Sequence, residues 1–252
     1  MSGAGRVVAI VQARMASSRL PGKVLADIGG RPMLLWVVER ARRTPGLHAL
    51  GVATTTDRGD DAVAGLCAAH GVACVRGHPT DVLDRFHQAA EAFDAGVIVR
   101  LTADCPLIDP QVIETTLDAF LHADPPADMA ANRLPSGRTY PIGLDTEVVT
   151  RAALERAWRE ADRPHQREHV LPYLYDEPGR FRVLRVDHDE DLGRMRWTVD
   201  TPEDLAFVRQ VVSHFPGRDD FGWLDVVELL RRRPELAAIN AGVQHKGFRD
   251  AG

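Results

Sequence analysis

The chain has 252 residues, 44% hydrophobic and 27% charged, with a formal net charge of −5. That is ordinary for a globular protein and enough for one sizeable core, while the acidic balance argues against a general nucleic-acid binder, which carries a basic excess. No apolar run approaches the ~18 residues of a membrane span, Met1 to Gly5 opens no secretory leader pattern, and Cys67, Cys74 and Cys105 lack metal-ligand spacing, so a cytoplasmic chain with neither membrane nor nucleic-acid partner is expected.

Val7 to Val11 is short, uncharged and β-branched, the mark of a strand buried on both faces. Pro32 to Arg43 reads as a helix with Pro32 in its first turn. Strand-like runs follow at Ala49 to Thr54, Val72 to Val75 and Val97 to Leu101, alternating with helical stretches at Asp60 to His70, Asp81 to Phe93 and Pro110 to Leu121. This alternation predicts an α/β fold: a mostly parallel, Rossmann-like sheet with helices on both faces. Ligands of such sheets gather at the carboxyl ends of the strands.

The rhythm breaks over residues 126–179, which are rich in proline and glycine. Within one domain spanning 1–252, this stretch reads as an insertion for acceptor binding, dimerisation or both. It holds a weak hairpin pattern at Thr139 to Val149 and a helix at Thr150 to Ala161. Phe181 to Val186 and Met195 to Val199 resume strand character, Thr201 to Ser213 and Trp223 to Arg232 are helical, and the tail after Pro234 reads as peripheral.

Two features carry chemistry. The first is the loop Gln12-Ala13-Arg14-Met15-Ala16-Ser17-Ser18-Arg19-Leu20-Pro21-Gly22-Lys23, with three cations and no acid. It exceeds the few residues a strand-to-helix link requires. At a strand's carboxyl end, its arginines can grip phosphate oxygens in a two-pronged way and its lysine adds a compact charge. It matches neither the Walker A nor the dinucleotide glycine pattern. A solvated basic loop is the plainer alternative.

The second is internal: Arg100-Leu101-Thr102-Ala103-Asp104-Cys105-Pro106 and Arg196-Trp197-Thr198-Val199-Asp200-Thr201-Pro202 share R-x-T-x-D-x-P. Each aspartate ends a strand-like run ahead of a helix. Thr201, Pro202 and Asp204 form a capping signature, and Asp109 with Pro110 forms the other. Two strands bringing carboxylates to one sheet edge make a site for Mg²⁺, which takes one or two carboxylates plus phosphate oxygens and water. The competing reading is that both aspartates only cap helices. Asp187 to Asp191 is denser in acid and reads as a solvated loop. By chemistry alone, Arg85 and Arg100 are further anion contacts, or ion-pair residues.

Ala13-Arg14, Ser18 to Lys23 and Ile28 to Leu34 resemble the opening of the cytidylyltransferases, which activate 3-deoxy-manno-octulosonate and sialic-acid-like sugars as CMP conjugates. Asp104 to Asp109 and Val199 to Leu205 match two further family blocks. Arg167 to Tyr173 is similar to a segment of the spore-coat polysaccharide biosynthesis F subgroup. The resemblance implies a nucleotide-diphospho-sugar transferase fold and a homodimer through the mid-chain segment. It implies Mg²⁺ on Asp104 and Asp200, CTP as the NTP partner and a sugar-like acceptor. Arg14 and Lys23 are then expected on the triphosphate, with Gln12, Ala13, Ser18 and Arg19 beside them. Glu168 and His169 are expected at the acceptor or an interface.

The expected reaction is transfer of a nucleoside monophosphate with release of pyrophosphate, catalysed by Arg14, Lys23, Asp104 and Asp200. Two rivals remain at this point. A glycosyltransferase consuming a nucleotide sugar would use a D-x-D pair, here found only in the Asp187 to Asp191 run. A non-catalytic nucleotide-binding protein would have lost Lys23 or one aspartate.

Overall fold

The β-branched run near the start of the chain becomes β1 (Val7–Gln12) in a computed structural model of the protein, which describes residues 5–244. The expectation for the leader region over Met1 to Ala4 lies outside them. After the basic loop come a 3-10 turn at Lys23–Leu25, a ribbon of β2 (Asp27–Ile28) and β3 (Arg31–Pro32), and α1 (Met33–Ala41). The chain then alternates β4 (Ala49–Thr55), α2 (Asp61–Ala69), β5 (Ala73–Gly77), α3 (Val82–Ala92), β6 (Val97–Thr102) and α4 (Pro110–Leu121). These elements follow the predicted order.

The stretch read as an insertion departs from expectation. It supplies β7 (Met129–Ala131) and β10 (Glu147–Thr150) to the central sheet, and its hairpin is β8 (Arg133–Leu134) with β9 (Gly137–Arg138) rather than Thr139 to Val149. The two-residue turn Pro135-Ser136 closes the hairpin earlier. That frees Glu147 to Thr150 to pair antiparallel with β6 and β7. Helices α5 (Arg151–Glu160), α6 (Pro164–His169) and α7 (Pro172–Tyr175) follow, then β11 (Val183–Arg185), which pairs parallel with β7. Helices α8 (Pro202–Ser213), α9 (Trp223–Arg232) and α10 (Pro234–Ala237) complete the described chain.

The seven-stranded sheet runs β11-β7-β10-β6-β1-β4-β5, with β10 antiparallel to both neighbours and the other pairings parallel. Side chains alternate across a strand, and β1 shows the result. Val7, Ala9 and Val11 pack with residues of α1, α2 and α4 on one face, while Val8 and Ile10 meet α3 and α5 on the other. A third cluster joins α8 and α9 to Trp36, Leu107, Trp197 and Val199. Met195 to Val199 joins no named strand; within it Arg196 forms an isolated parallel bridge with Ile142 of the mid-chain segment. The second aspartate therefore arrives beside the sheet rather than from one of its strands.

Candidate active site

The basic loop is fixed at three points. Ala13 N–H donates to Ala53 O (3.1 Å) and Met15 N–H to the buried Asp60 Oδ1 (2.6 Å). Gly22 N–H returns to Met15 O (2.9 Å) and closes the turn. Gly22 sits at φ +74°, a conformation glycine adopts without a steric penalty. The turn drives Lys23 inward until the residue is only 8% exposed.

The two aspartate blocks meet at this lysine. β6 and the turn after it carry Asp104, whose backbone oxygen accepts from Val199 N–H (2.8 Å) and Thr198 Oγ1 (3.2 Å). The second block is held from behind by Ile142, which donates to Met195 O (2.8 Å) and accepts from Trp197 N–H (2.7 Å). Gly143 allows this close approach: a Cβ there would lie 2.6 Å from Thr198 N, and its φ is +108°. The two copies of the repeated sequence pattern thus hydrogen-bond to each other.

Lys23 Nζ donates to Asp104 Oδ2, Asp200 Oδ1 and Val199 O, each at 2.8 Å. Its three protons are all used. Burial opposes the charge on Lys23, but the two carboxylates outweigh it and raise the ammonium's pKa above its ordinary value. Burial likewise opposes ionisation of the aspartates. Lys23 overrides it for Asp104, and Lys23, Arg196 and Arg19 override it for Asp200, whose pKa falls to about 2. Asp104 Oδ1 also accepts from Thr102 Oγ1 (2.6 Å). Asp200 Oδ2 lies 2.9 Å from both Arg19 Nη2 and Arg196 Nη2. Asp200 immediately precedes the Thr201 cap of α8, and Asp109, not Asp104, caps α4.

A cavity of about 750 Å³ opens above this cluster, at the carboxyl ends of β1 and β6. Every predicted site residue lines it: Gln12, Ala13, Arg14, Ser18, Arg19, Lys23, Arg85, Arg100, Asp104, Glu168, His169 and Asp200. Their states differ. Arg14 is exposed and forms no ion pair among the described residues. Arg85 is buried and, among the described residues, its side chain donates to the carbonyls of His78 (2.5 Å) and Pro79 (3.3 Å). Burial and the neighbouring Arg14 charge lower its pKa to about 10, so it stays cationic at neutral pH. Arg100 is already engaged, by Glu147 and by Gln12 Oε1 (2.8 Å). Burial lowers the His169 pKa and favours the neutral imidazole. The Asp187 to Asp191 run lies elsewhere: its aspartates are exposed and do not line the cavity.

Sequence reasoning did not single out Arg133, Asp145, Glu147 or Thr198, which also line the cavity. The first three lie in the proline- and glycine-rich stretch, where only a weak alternation over Thr139 to Val149 was visible. Thr198 was visible as the shared threonine of the repeated pattern. The tail is not peripheral: Asn240 is 4% exposed and bonds the second block, because its amide finds a carbonyl and a carboxylate inside the fold.

A profile of the cytidylyltransferase family matches residues 8–231. The chain is 32% identical over 242 residues to the spore coat polysaccharide biosynthesis protein SpsF of Bacillus subtilis, covering 92% of this chain and 96% of that protein. A cytidylyltransferase structure from Leptospira borgpetersenii superposes with a TM-score of 0.88 at 30% identity, covering 95% of this chain and 99% of the other. A CMP:2-keto-3-deoxy-manno-octonic acid synthetase complexed with CTP superposes with a TM-score of 0.63 at 26% identity, covering 83% of this chain and 99% of the other.

Proposed function

Because the chain belongs to the cytidylyltransferase family, we propose that it transfers CMP from CTP to a ulosonic-acid-like sugar and releases pyrophosphate, for surface polysaccharide biosynthesis. The observation that carries this reading is the convergence of Lys23, Asp104 and Asp200 in a cavity also lined by Arg14, Arg19 and Arg85. The CTP complex of a relative supports the nucleotide, and the name of the Bacillus relative supports the pathway class.

The chain's own residues account for most of the chemistry. Backbone N–H groups and Ser18 of the basic loop, with Arg14 and Arg19, bind the triphosphate and hold its α-phosphorus toward the acceptor half of the cavity. An acceptor hydroxyl attacks that phosphorus in line. The new O–P bond forms as the α–β bridging bond breaks, pyrophosphate takes the bonding pair, and the hydroxyl proton passes to solvent. Arg14, Arg19 and Lys23 stabilise the departing charge, so catalysis is mainly alignment and electrostatics.

The residues also fit a divalent cation. Asp104 and Asp200 already converge on one positive charge, the Lys23 ammonium, through hard oxygen donors. Among the described residues no group of three or more acidic, histidine or cysteine side chains converges. Two carboxylates with phosphate oxygens and water is the usual Mg²⁺ arrangement. Bound there, Mg²⁺ supplies charge neutralisation at the phosphates. Lys23 cannot bond phosphate while all three of its protons are held by protein oxygens, so its role on the triphosphate requires it to leave the carboxylates.

Glu168 and His169 belong to the acceptor half of this reading. The homodimer rests on the family resemblance. The cytoplasmic location is supported by three free thiols. No described helix is long and apolar enough to cross a membrane. The test crosses four NTPs with ulosonic acids, sugar phosphates and nucleotide sugars, with and without Mg²⁺, and identifies products by mass spectrometry. Pyrophosphate and a CMP–sugar are expected. Free nucleoside diphosphate from a nucleotide sugar would make the protein a glycosyltransferase.

A further inference from the structure

We infer that Arg196 is a positioning residue for Asp200, and that the C-terminal segment completes its support through Asn240. This rests on the reading of Asp104 and Asp200 as the metal-binding pair.

The guanidinium of Arg196 is shared between two carboxylates. Nε and Nη2 donate to Asp204 Oδ1 and Oδ2, each at 2.9 Å, and Nη2 also donates to Asp200 Oδ2 at 2.9 Å. Asp204 is fully buried. Its Oδ2 accepts the backbone N–H groups of Asp200 (3.0 Å) and Thr201 (3.1 Å), and its Oδ1 accepts from Asn240 Nδ2 (2.9 Å). Asn240 Nδ2 also donates to Arg196 O (3.1 Å). One carboxylate thus ties together the main chain of Asp200, the side chain that holds Asp200, and the tail.

The consequence is directional. With Oδ2 held by Arg196, Asp200 presents Oδ1 toward Asp104 and the Lys23 ammonium. Arg19 touches the same Oδ2, but its side chain is 29% exposed on the loop, whereas that of Arg196 is 7% exposed within the fold. Arg19 can turn to phosphate; Arg196 stays. Asp204 neutralises Arg196, so the carboxylate is oriented without a net positive charge beside the cation site. A lysine cannot replace this contact, since a single ammonium lacks the planar fork that reaches both acids. Groups that orient metal ligands typically matter by about 10–100-fold in metal affinity.

The test uses the full chain and Mn²⁺ as the probe, with free Mn²⁺ read by electron paramagnetic resonance in the presence of CTP. Arg196→Lys keeps the charge and should weaken Mn²⁺ binding about 10–100-fold, with Asn240→Ala shifting it in the same direction. The Mg²⁺ concentration that half-saturates pyrophosphate release should rise in parallel, with kcat recovering at high metal. Melting temperature separates folding from positioning, and Asn240→Ala keeps the test decisive should Arg196→Lys fail to fold. Folded variants that bind Mn²⁺ as wild type does, or lose kcat with unchanged metal dependence, would overturn the inference. A wild-type protein that neither binds Mn²⁺ nor releases pyrophosphate would instead defeat the underlying reading, and this inference with it.

Discussion

The ammonium of Lys23 lies 2.8 Å from a carboxylate oxygen of Asp104, a residue 81 positions away, in a contact that places the basic loop on the first aspartate block. The same Nζ holds Asp200, 177 positions away. Lys23 therefore neutralises the two acids proposed to hold the metal. Lys23→Met should reduce pyrophosphate release by about 100-fold or more, the scale of losing one transition-state donor. The same change should tighten nucleotide-free Mn²⁺ binding, because the competing ammonium is gone. Unchanged or weaker Mn²⁺ binding in a folded variant would show that Lys23 does not compete for the site.

Stability should depend on pH through this cluster. The folded-state pKa of Asp200 is depressed to about 2, and that of Asp104 is lowered too. Their contribution is present above the ordinary carboxylate range and lost as pH falls toward about 2. Lys23 has a raised pKa, so its contribution is present below the ordinary lysine value and lost as pH climbs through the folded one. Thermal melts of wild type and Lys23→Met should differ most near neutrality, and the gap should narrow at acid extremes. A gap that widens on acidification would refute the assignment.

Gly143→Ala should damage fold and site together. The added Cβ meets backbone atoms of Trp197 and Thr198, which cannot move aside as a side-chain tip can, and the backbone is left-handed at that point. A loss of about 1–3 kcal/mol is expected from the conformation alone. Melting temperature and pyrophosphate release should both fall. A variant as stable as wild type would mean the second block is not pinned there.

His169→Ala and Glu168→Gln should separate the two halves of the cavity. Both residues line it, in α6. The expected result is a raised KM for the acceptor with little change in the KM for CTP. The reverse split would move these residues to the nucleotide half.

Much of the fold was legible because β-branched runs and amphipathic stretches alternate, and that pattern alone dictates a sheet covered on both faces. Within residues 126–179 the helix at Thr150 to Ala161 was legible as α5, but β7 and β10 were not, because they are only three and four residues long and are fixed by pairing, β10 antiparallel to β6 and β7 antiparallel to β10, rather than by their own periodicity. Met195 to Val199 looked like a strand for the right local reason, burial of Trp197 and Val199, yet its backbone is satisfied mainly by Ile142 and Asp104. The residues that the sequence singled out by type and motif do line one cavity. What sequence could not show was the direction in which Lys23 points, since that depends on the Gly22 turn and on two acids distant along the chain. Nor could it show that Asn240 reaches back into the second block.

Equilibrium binding of CTP, titrated calorimetrically with Mg²⁺ and with EDTA, bears most directly on the claim that this cluster receives a metal–triphosphate. Wild type should bind CTP tightly only with Mg²⁺, and Asp104→Asn and Asp200→Asn should each abolish that metal dependence while remaining folded. CTP binding of equal strength with and without metal, or metal dependence preserved in both variants, would contradict it.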